Sequence, residues 1–211
     1  WRMYEKGVFG NEVSDMKLLV FFVNPNVNLF FKSPLRDLTA LEGRKVTVGS
    51  KFRGDIVTKM GGVAVALRPP ELFQALSRGV ADGSMTNVAV IQAFKLNEEL
   101  HYYLDAPMGG AASFMFMNKA VFDRLPAKAQ KAITDNTGEA ASRSASAVSQ
   151  TAEANFMKEL LKDQRNRLVS FDAAATAKWR TAVEPLVVEW HNSFPRGKAV
   201  ADAFDAELAK K

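Results

Sequence analysis

The sequence predicts an α/β fold in which short strands alternate with helices. Apolar runs such as Lys45–Val48 and Val63–Leu67 are typical of buried strands. Each run is followed by a helical segment of about ten residues, and pairs such as Gly61-Gly62 and Pro69-Pro70 mark where helices end or begin. This alternation indicates a largely parallel sheet, on which ligands bind at the carboxyl ends of the strands.

The first part of the chain contains the earliest strands. Lys17–Val23 is a short apolar run that predicts a buried strand, and Asn24-Pro25-Asn26 is expected to stop it. Further elements are then predicted: an extended segment Asn28–Lys32, a helical turn over Pro34–Leu38 ended by Gly43, a strand Lys45–Val48, and a helix Phe52–Met60.

The middle of the chain continues the alternation. The elements predicted there are a strand Val63–Leu67, a helix from Pro69 to Arg78 stopped by Gly79, an extended segment Ala81–Asn87, a helix Val88–Phe94, and strands Leu100–Leu104 and Ser113–Met117.

The last third is mainly helical. Ala127–Leu161 predicts helix throughout, and Arg167–Phe171 predicts one more strand. Asp172 is expected to cap a helix that carries apolar residues at three- and four-residue spacing, and Pro185 is expected to kink or restart it.

Composition excludes several classes of protein. The 211 residues include 28 basic and 23 acidic ones, and the resulting charge of +5 is scattered rather than gathered into a stripe for nucleic acid. Cysteine is absent, which excludes disulfides and thiolate metal sites. The longest uncharged apolar stretch, Ala106–Met117, falls short of the roughly 20 residues that span a bilayer. The chain begins at Trp1 without a signal peptide, so we expect an upstream part to be missing.

Four segments carry a family resemblance. They are Ser33–Leu38 with Leu41–Val46, Gly61–Leu67, Pro70–Leu76 with Gly79–Gly83, and Asn118 with Phe122–Pro126. In this order they resemble motifs of the DctP-like solute-binding proteins of tripartite ATP-independent periplasmic (TRAP) transporters. The third segment is the most specific, since a helix with one apolar face is followed by Gly79 and the turn Asp82-Gly83.

The resemblance implies a two-lobed periplasmic-binding-protein-like α/β fold with long carboxy-terminal helices and an incomplete first lobe. Residues 1–25 and 114–154 are expected to form the remainder of the first lobe, and residues 26–113 the second. Residues 155–211 are expected to pack across both. Val23–Asn26 and Ala112–Phe114 are the candidate hinge crossings.

The resemblance also implies a function. Such a protein captures a small polar or organic-acid metabolite in an interlobe cleft and delivers it to the membrane permease subunits of a TRAP transporter. We therefore expect a periplasmic, monomeric protein that does not itself span the membrane or bind nucleic acid. No catalysis, cofactor or metal is implied.

At its ligand-binding positions the chain departs from the family. The family's carboxylate-binding arginine follows its "lKi" motif, where this chain has Thr47. Its second arginine falls on Asn26, and its "DG-x-x-N" asparagine falls on Thr86, beside Asn87. Threonine and asparagine form hydrogen bonds but offset no buried negative charge. Either the ligand is less anionic, or a displaced cation binds it.

Basic residues near the end of the predicted strand Lys45–Val48 are candidates for that cation. Lys51 and Arg53 follow the strand's carboxyl end, and Phe52 between them has a ring that can cover a ligand. Lys32 and Arg68 are further candidates. The ordinary alternatives are surface charges for the basic residues, a strand residue for Thr47, and a helix cap for Asn87.

Two other functions are alternatives to solute capture for transport. One is a ligand sensor that serves a signalling partner with the same fold. The other is an unrecognised hydrolase: Ser14 to Lys17 fits an S-x-x-K pattern, but Lys17 leads straight into a strand and the K-T-G box is absent. His101 and His191 lie far from any acidic cluster, so structural roles are expected for both.

Overall fold

A computed structural model describes residues 1–35, 41–105 and 108–210, and for Pro25 and Asn26 it describes the backbone. The predicted helical turn over Pro34–Leu38 lies partly outside the described residues. The strands are β1 Met16–Asn26, β2 Asn28–Phe31, β3 Lys45–Val48, β4 Val63–Ala66, β5 Gly83–Thr86, β6 Tyr102–Asp105, β7 Gly110–Asn118 and β8 Arg167–Ser170. The helices are α1 Arg2–Glu5, α2 Lys51–Lys59, α3 Leu72–Ser77, α4 Val88–Ala93, α5 Lys119–Asp123, α6 Ala127–Asp135, α7 Glu139–Leu160, α8 Ala173–Asn192 and α9 Gly197–Leu208.

The chain divides into two compact units. The first comprises Trp1–Asn24, Ala112–Gln150 and Glu189–Lys211, and the second comprises Pro25–Ala111 and Thr151–Val188. The elements β1, β7, α7 and α8 each contain residues of both units. The lobe boundaries predicted from the sequence, at residues 25, 113 and 154, stay predictions.

The second unit is built on a mixed sheet. Its described strands follow the order β4-β3-β5-β2-β6-β8. β3 runs parallel to β4 and β5, and β6 runs parallel to β8, whereas β2 is antiparallel to both β5 and β6. The predicted sheet was largely parallel, and β2 is the exception. The apolar pattern of a strand identifies it as buried but does not encode the direction of its neighbours.

Alternate residues of this sheet face two apolar clusters. Leu29, Val46 and Met85 belong to one cluster, which also contains Ile56 of α2 and Trp179 of α8. The neighbouring residues of the strands face the other way, since successive side chains of a strand point to opposite faces. Phe30 and Tyr103 belong to the second cluster, with Leu76 of α3 and Ile91 of α4. Both faces of the sheet are therefore covered by helices.

Trp179 anchors α8 in the first of these clusters. Its side chain is 2% exposed, and its ring packs edge-on against Phe171 with the ring centroids 6.0 Å apart. Asp172 caps the helix as the sequence predicts, because its Oδ1 accepts the Ala175 N–H at 2.7 Å. A kink or a restart was predicted at Pro185. α8 continues through Pro185, so the restart does not occur.

Two predicted boundaries are wrong. The helix predicted over Ala127–Leu161 is interrupted between α6 and α7, where Gly138 adopts φ +93°. A residue in that conformation cannot continue a right-handed helix. β1 also continues through Asn24-Pro25-Asn26, which was predicted to stop it. β1 pairs with β7 in a two-stranded sheet, and proline is tolerated in a strand whose N–H side is unpaired.

Candidate functional site

A groove lies at the carboxyl ends of β3 and β4 in the second unit. Its volume is about 590 Å³, and small side chains on α2 and β4 leave the space open. β3 ends at Val48, and Gly49-Ser50 leads into α2, whose first turn is capped by the Ser50 hydroxyl. The residues that line the groove are Val48, Gly49, Ser50, Lys51, Gly54, Asp55, Thr58, Ala64, Ala66, Leu67, Arg68 and Glu71.

The cations that line this groove are paired with carboxylates. Lys51 Nζ lies 2.7 Å from Asp55 Oδ2, one helical turn along α2. Arg68 Nη2 lies 3.4 Å from Glu71 Oε1. The Arg68 N–H also donates to Glu71 Oε2, and these hydrogen bonds lower the pKa of the Glu71 carboxyl. Each of these two cations therefore already has a carboxylate of the protein within ion-pair distance.

Arg53 differs from these cations. It lies in the first turn of α2, is half-buried, and has no described residue hydrogen-bonded to or ion-paired with its guanidinium. Desolvation by burial lowers the pKa of this group below its ordinary value. Its Nη1 atom lies beside Gly49, where a Cβ atom would be 3.8 Å from it. A half-buried cation without a protein acceptor is able to bind an anion.

The structure places Thr47 inside the second unit. Its side chain is 1% exposed, and Oγ1 donates to Ser84 Oγ at 2.8 Å across the β3–β5 pair. Ser84 is likewise 1% exposed, and Thr86, two residues further along β5, is 8% exposed. The two threonines thus share one face of the sheet, and the hydroxyl of Thr47 already has a partner.

The remaining predicted site residues have other surroundings. Asn87 Oδ1 accepts the Val90 N–H at 3.0 Å, so this side chain caps α4, as the ordinary alternative anticipates. Phe52 is half-buried against the cluster that contains Val46, on the opposite face of the sheet from Thr47. Asn26 ends β1, and its side chain lies outside the described residues.

Lys32 is paired as well. Its Nζ lies 2.9 Å from Glu99 Oε2 and donates to the Leu76 carbonyl oxygen at 2.8 Å. His101, for which a structural role was expected, contacts Asn166 Oδ1 through Nδ1 at 2.9 Å. The acidic partners of Lys32, Lys51 and Arg68 were not predicted from the sequence. The four-residue spacing of Lys51 and Asp55 is a signal that would have found one of them.

A second cavity, in the first unit, has a different character. Its volume is about 480 Å³ and its lining is mostly aromatic and aliphatic. The charged group among the lining residues is Glu12, which would repel an acid. The lining residues are Tyr4, Phe9, Glu12, Val13, Met16, Leu18, Phe21, Phe114 and Phe116. Of the two cavities, the groove in the second unit is therefore the better candidate for an anionic ligand.

The described part of the chain shows no group of three or more histidines and carboxylates placed to hold a metal ion. Within the same residues, each helix is too short or too polar to cross a membrane.

An α/β unit with a groove at the carboxyl ends of its strands is typical of ligand-binding proteins of the α/β class. The chain belongs to bacterial extracellular solute-binding protein family 7 (DctP), whose model matches residues 11–193. The predicted family is therefore confirmed.

Solved structures share the fold of this chain. A TRAP solute-binding protein from a marine metagenome, specific for aromatic acids and co-crystallised with 3-hydroxybenzoate, is 23% identical with a TM-score of 0.89. The match covers 98% of this chain and 67% of that one. A TRAP periplasmic solute-binding protein from Bordetella bronchiseptica, with bound mandelate, is 24% identical with a TM-score of 0.82, over 100% of this chain and 69% of that one. The predicted periplasmic-binding-protein-like α/β fold is confirmed.

A curated relative from Albidiferax ferrireducens, named as a solute-binding protein, is 35% identical over 89 residues. That match takes in 40% of this chain and 26% of the relative. The chain therefore spans only part of the length of its relatives.

Proposed function

We propose that this chain belongs to the extracytoplasmic solute-binding component of a TRAP-type secondary transporter. The observation that carries the proposal is the match of residues 11–193 to a family of extracellular solute-binding proteins. In this proposal the protein captures a small metabolite in the periplasm and releases it unchanged to membrane permease subunits. It acts as a monomer and catalyses no reaction.

The proposed ligand is a small organic acid. Structures of similar fold were solved with 3-hydroxybenzoate, mandelate, benzoate, pyroglutamate and orotate. The groove in the second unit is large enough for molecules of this size, at about 590 Å³. Asn26, Thr47, Lys51, Phe52, Arg53, Thr86 and Asn87 stay predicted ligand-binding residues, as does binding between two lobes.

A thermal-shift screen tests this proposal. The purified chain is mixed in turn with these five acids and with D-glucuronate, and a neutral analogue such as benzamide serves as the matched control. We expect at least one acid to raise the melting temperature, because a ligand that binds only the folded state stabilises it by about 2.7 kcal/mol at 100 times its Kd. The neutral analogues should have little effect.

The bound acid should also remain chemically unchanged. Proton NMR of the acid after prolonged incubation with the protein measures this directly. A flat response across all the acids, or steady consumption of the acid that binds, would refute the proposed function.

A further inference from the structure

The family's carboxylate-binding arginine is expected at the position that Thr47 occupies in this chain. Four basic residues are candidates to replace it, and three of them already have acidic partners. Lys32 lies 2.9 Å from Glu99, and Lys51 lies 2.7 Å from Asp55. Arg68 lies 3.4 Å from Glu71. A ligand carboxylate would have to compete with a carboxylate of the protein for each of them.

Arg53 is the fourth candidate, and no described residue competes for it. Its guanidinium is half-buried, has lost part of its hydration, and lacks an acceptor among the described residues. Such a group gains most from an incoming anion, because the anion restores the interactions that burial removed. Its planar donors also match two carboxylate oxygens at once.

Arg53 lies next to the groove through Gly49, although Arg53 is not itself one of the residues that line it. Nη1 lies beside Gly49, which has no side chain and which lines the groove. The φ angle of Gly49 lies outside the left-handed region, so the backbone does not require glycine there. What glycine provides at this position is space next to the guanidinium.

Thr47 contributes no charge to this arrangement. Its hydroxyl is bonded to Ser84, and both side chains are 1% exposed. A buried threonine of this kind does not offset the negative charge of a carboxylate. The cation has to come from elsewhere on the second unit.

We propose that Arg53 is the carboxylate-binding residue of this protein, holding a small organic acid in two parallel hydrogen bonds at the carboxyl end of β3. This inference rests on the proposed function and names the residue that determines ligand class. In this inference α2 supplies, at Arg53, the cation that the resemblance places six residues earlier, at the position of Thr47 in β3.

Isothermal titration with the six acids and with benzamide tests the inference. Arg53→Gln is expected to weaken the acid that binds the wild type by at least about tenfold, because a charge-assisted bidentate contact is lost. Arg53→Lys, which keeps the charge but not the fork, should recover part of this loss. Arg78→Gln is the matched control, since Arg78 is exposed at the end of α3 and does not line the groove. It removes the same charge and should change affinity by less than about threefold.

A second variant leaves Arg53 in place. Gly49→Asp puts a carboxylate beside the guanidinium, where it should pair with Arg53 and weaken acid binding, whereas Gly49→Asn should weaken it far less. In an Arg53→Gln background, Gly49→Asp should weaken acid binding by less than it does in the wild type.

The outcomes separate the two proposals. If the wild type binds an acid and Arg53→Gln binds it within about twofold, Arg53 is not the binding residue while the proposed function stands. Additive effects of Gly49→Asp and Arg53→Gln would overturn the inference as well. If the wild type binds none of the acids, both proposals fail.

Discussion

The hydroxyl pair between Thr47 and Ser84 allows a quantitative test of how this sheet is held together. Thr47 Oγ1 donates to Ser84 Oγ at 2.8 Å, and both side chains are 1% exposed. Thr47→Val keeps the shape of the side chain and removes the donor, leaving the Ser84 hydroxyl buried without this partner. A buried polar group left unpaired costs about 1–3 kcal/mol. We therefore expect Thr47→Val to lower the free energy of unfolding of the second unit by that amount.

Replacing both partners should lower the free energy of unfolding by less than the sum of the two single changes. Ser84→Ala alone leaves the Thr47 hydroxyl unpaired, but in the double variant no orphaned group remains. The double-mutant cycle should therefore give a coupling energy of about 1 kcal/mol. This magnitude follows from an uncharged pair, since a charged one would be worth more.

Urea unfolding followed by tryptophan fluorescence is a suitable assay. The tryptophans are Trp1, Trp179 and Trp190, and of these Trp179 belongs to the second unit. Replacing the other two with phenylalanine makes the signal specific for that unit. Additivity of the two single changes within about 0.3 kcal/mol would refute the reasoning. So would a Thr47→Val protein as stable as the wild type.

Two further predictions concern a helix cap and a pH dependence. Asn87→Ala should lower the free energy of unfolding by about 1 kcal/mol, because α4 loses the acceptor of the Val90 N–H. Asn87→Asp keeps an acceptor and should lower this free energy by less. Urea unfolding measures both changes. Hydrogen bonds from Lys210 and Lys6 lower the pKa of Glu207 from 4.5 to about 2. The ionised carboxylate therefore stabilises the fold above pH 4.5. This stabilisation is lost as the pH falls towards about 2. Glu207→Gln should therefore lower the melting temperature at pH 7, and its difference from the wild type should narrow below about pH 4.5; a pH-independent difference would contradict this.

Elements defined by local signals could be predicted well. β3, β4 and α2 lie within a residue or two of their predicted positions. Their boundaries depend on neighbouring residues: Ser50 caps α2, and Gly61, with φ +82°, follows its end.

Elements that depend on distant partners could not be predicted in the same way. β1 passes through Pro25 because β7, far along the chain, supplies the pairing strand. The break before α7 was missed because Gly138 sits within an Ala- and Ser-rich stretch that otherwise favours helix. The antiparallel direction of β2 is likewise a property of the assembled sheet.

The candidate site shows the same division. The motifs from Ser33 to Pro126 were sufficient to identify the family, because glycine and proline positions and apolar spacing are local features that survive in a single sequence. They also led to the prediction that Thr47 stands where the family has an arginine, and this stays a prediction.

Only the tertiary structure decided what surrounds each candidate side chain. Thr47 and Ser84 are 37 residues apart, and parallel pairing of β3 with β5 brings their hydroxyls together. The tertiary structure also showed that Lys51 is paired within its own helix. Arg53, two residues later, has no acceptor among the described residues. The sequence fixes which groups carry charge, but the register of distant strands and the burial of each helix face determine which charges remain available to a ligand.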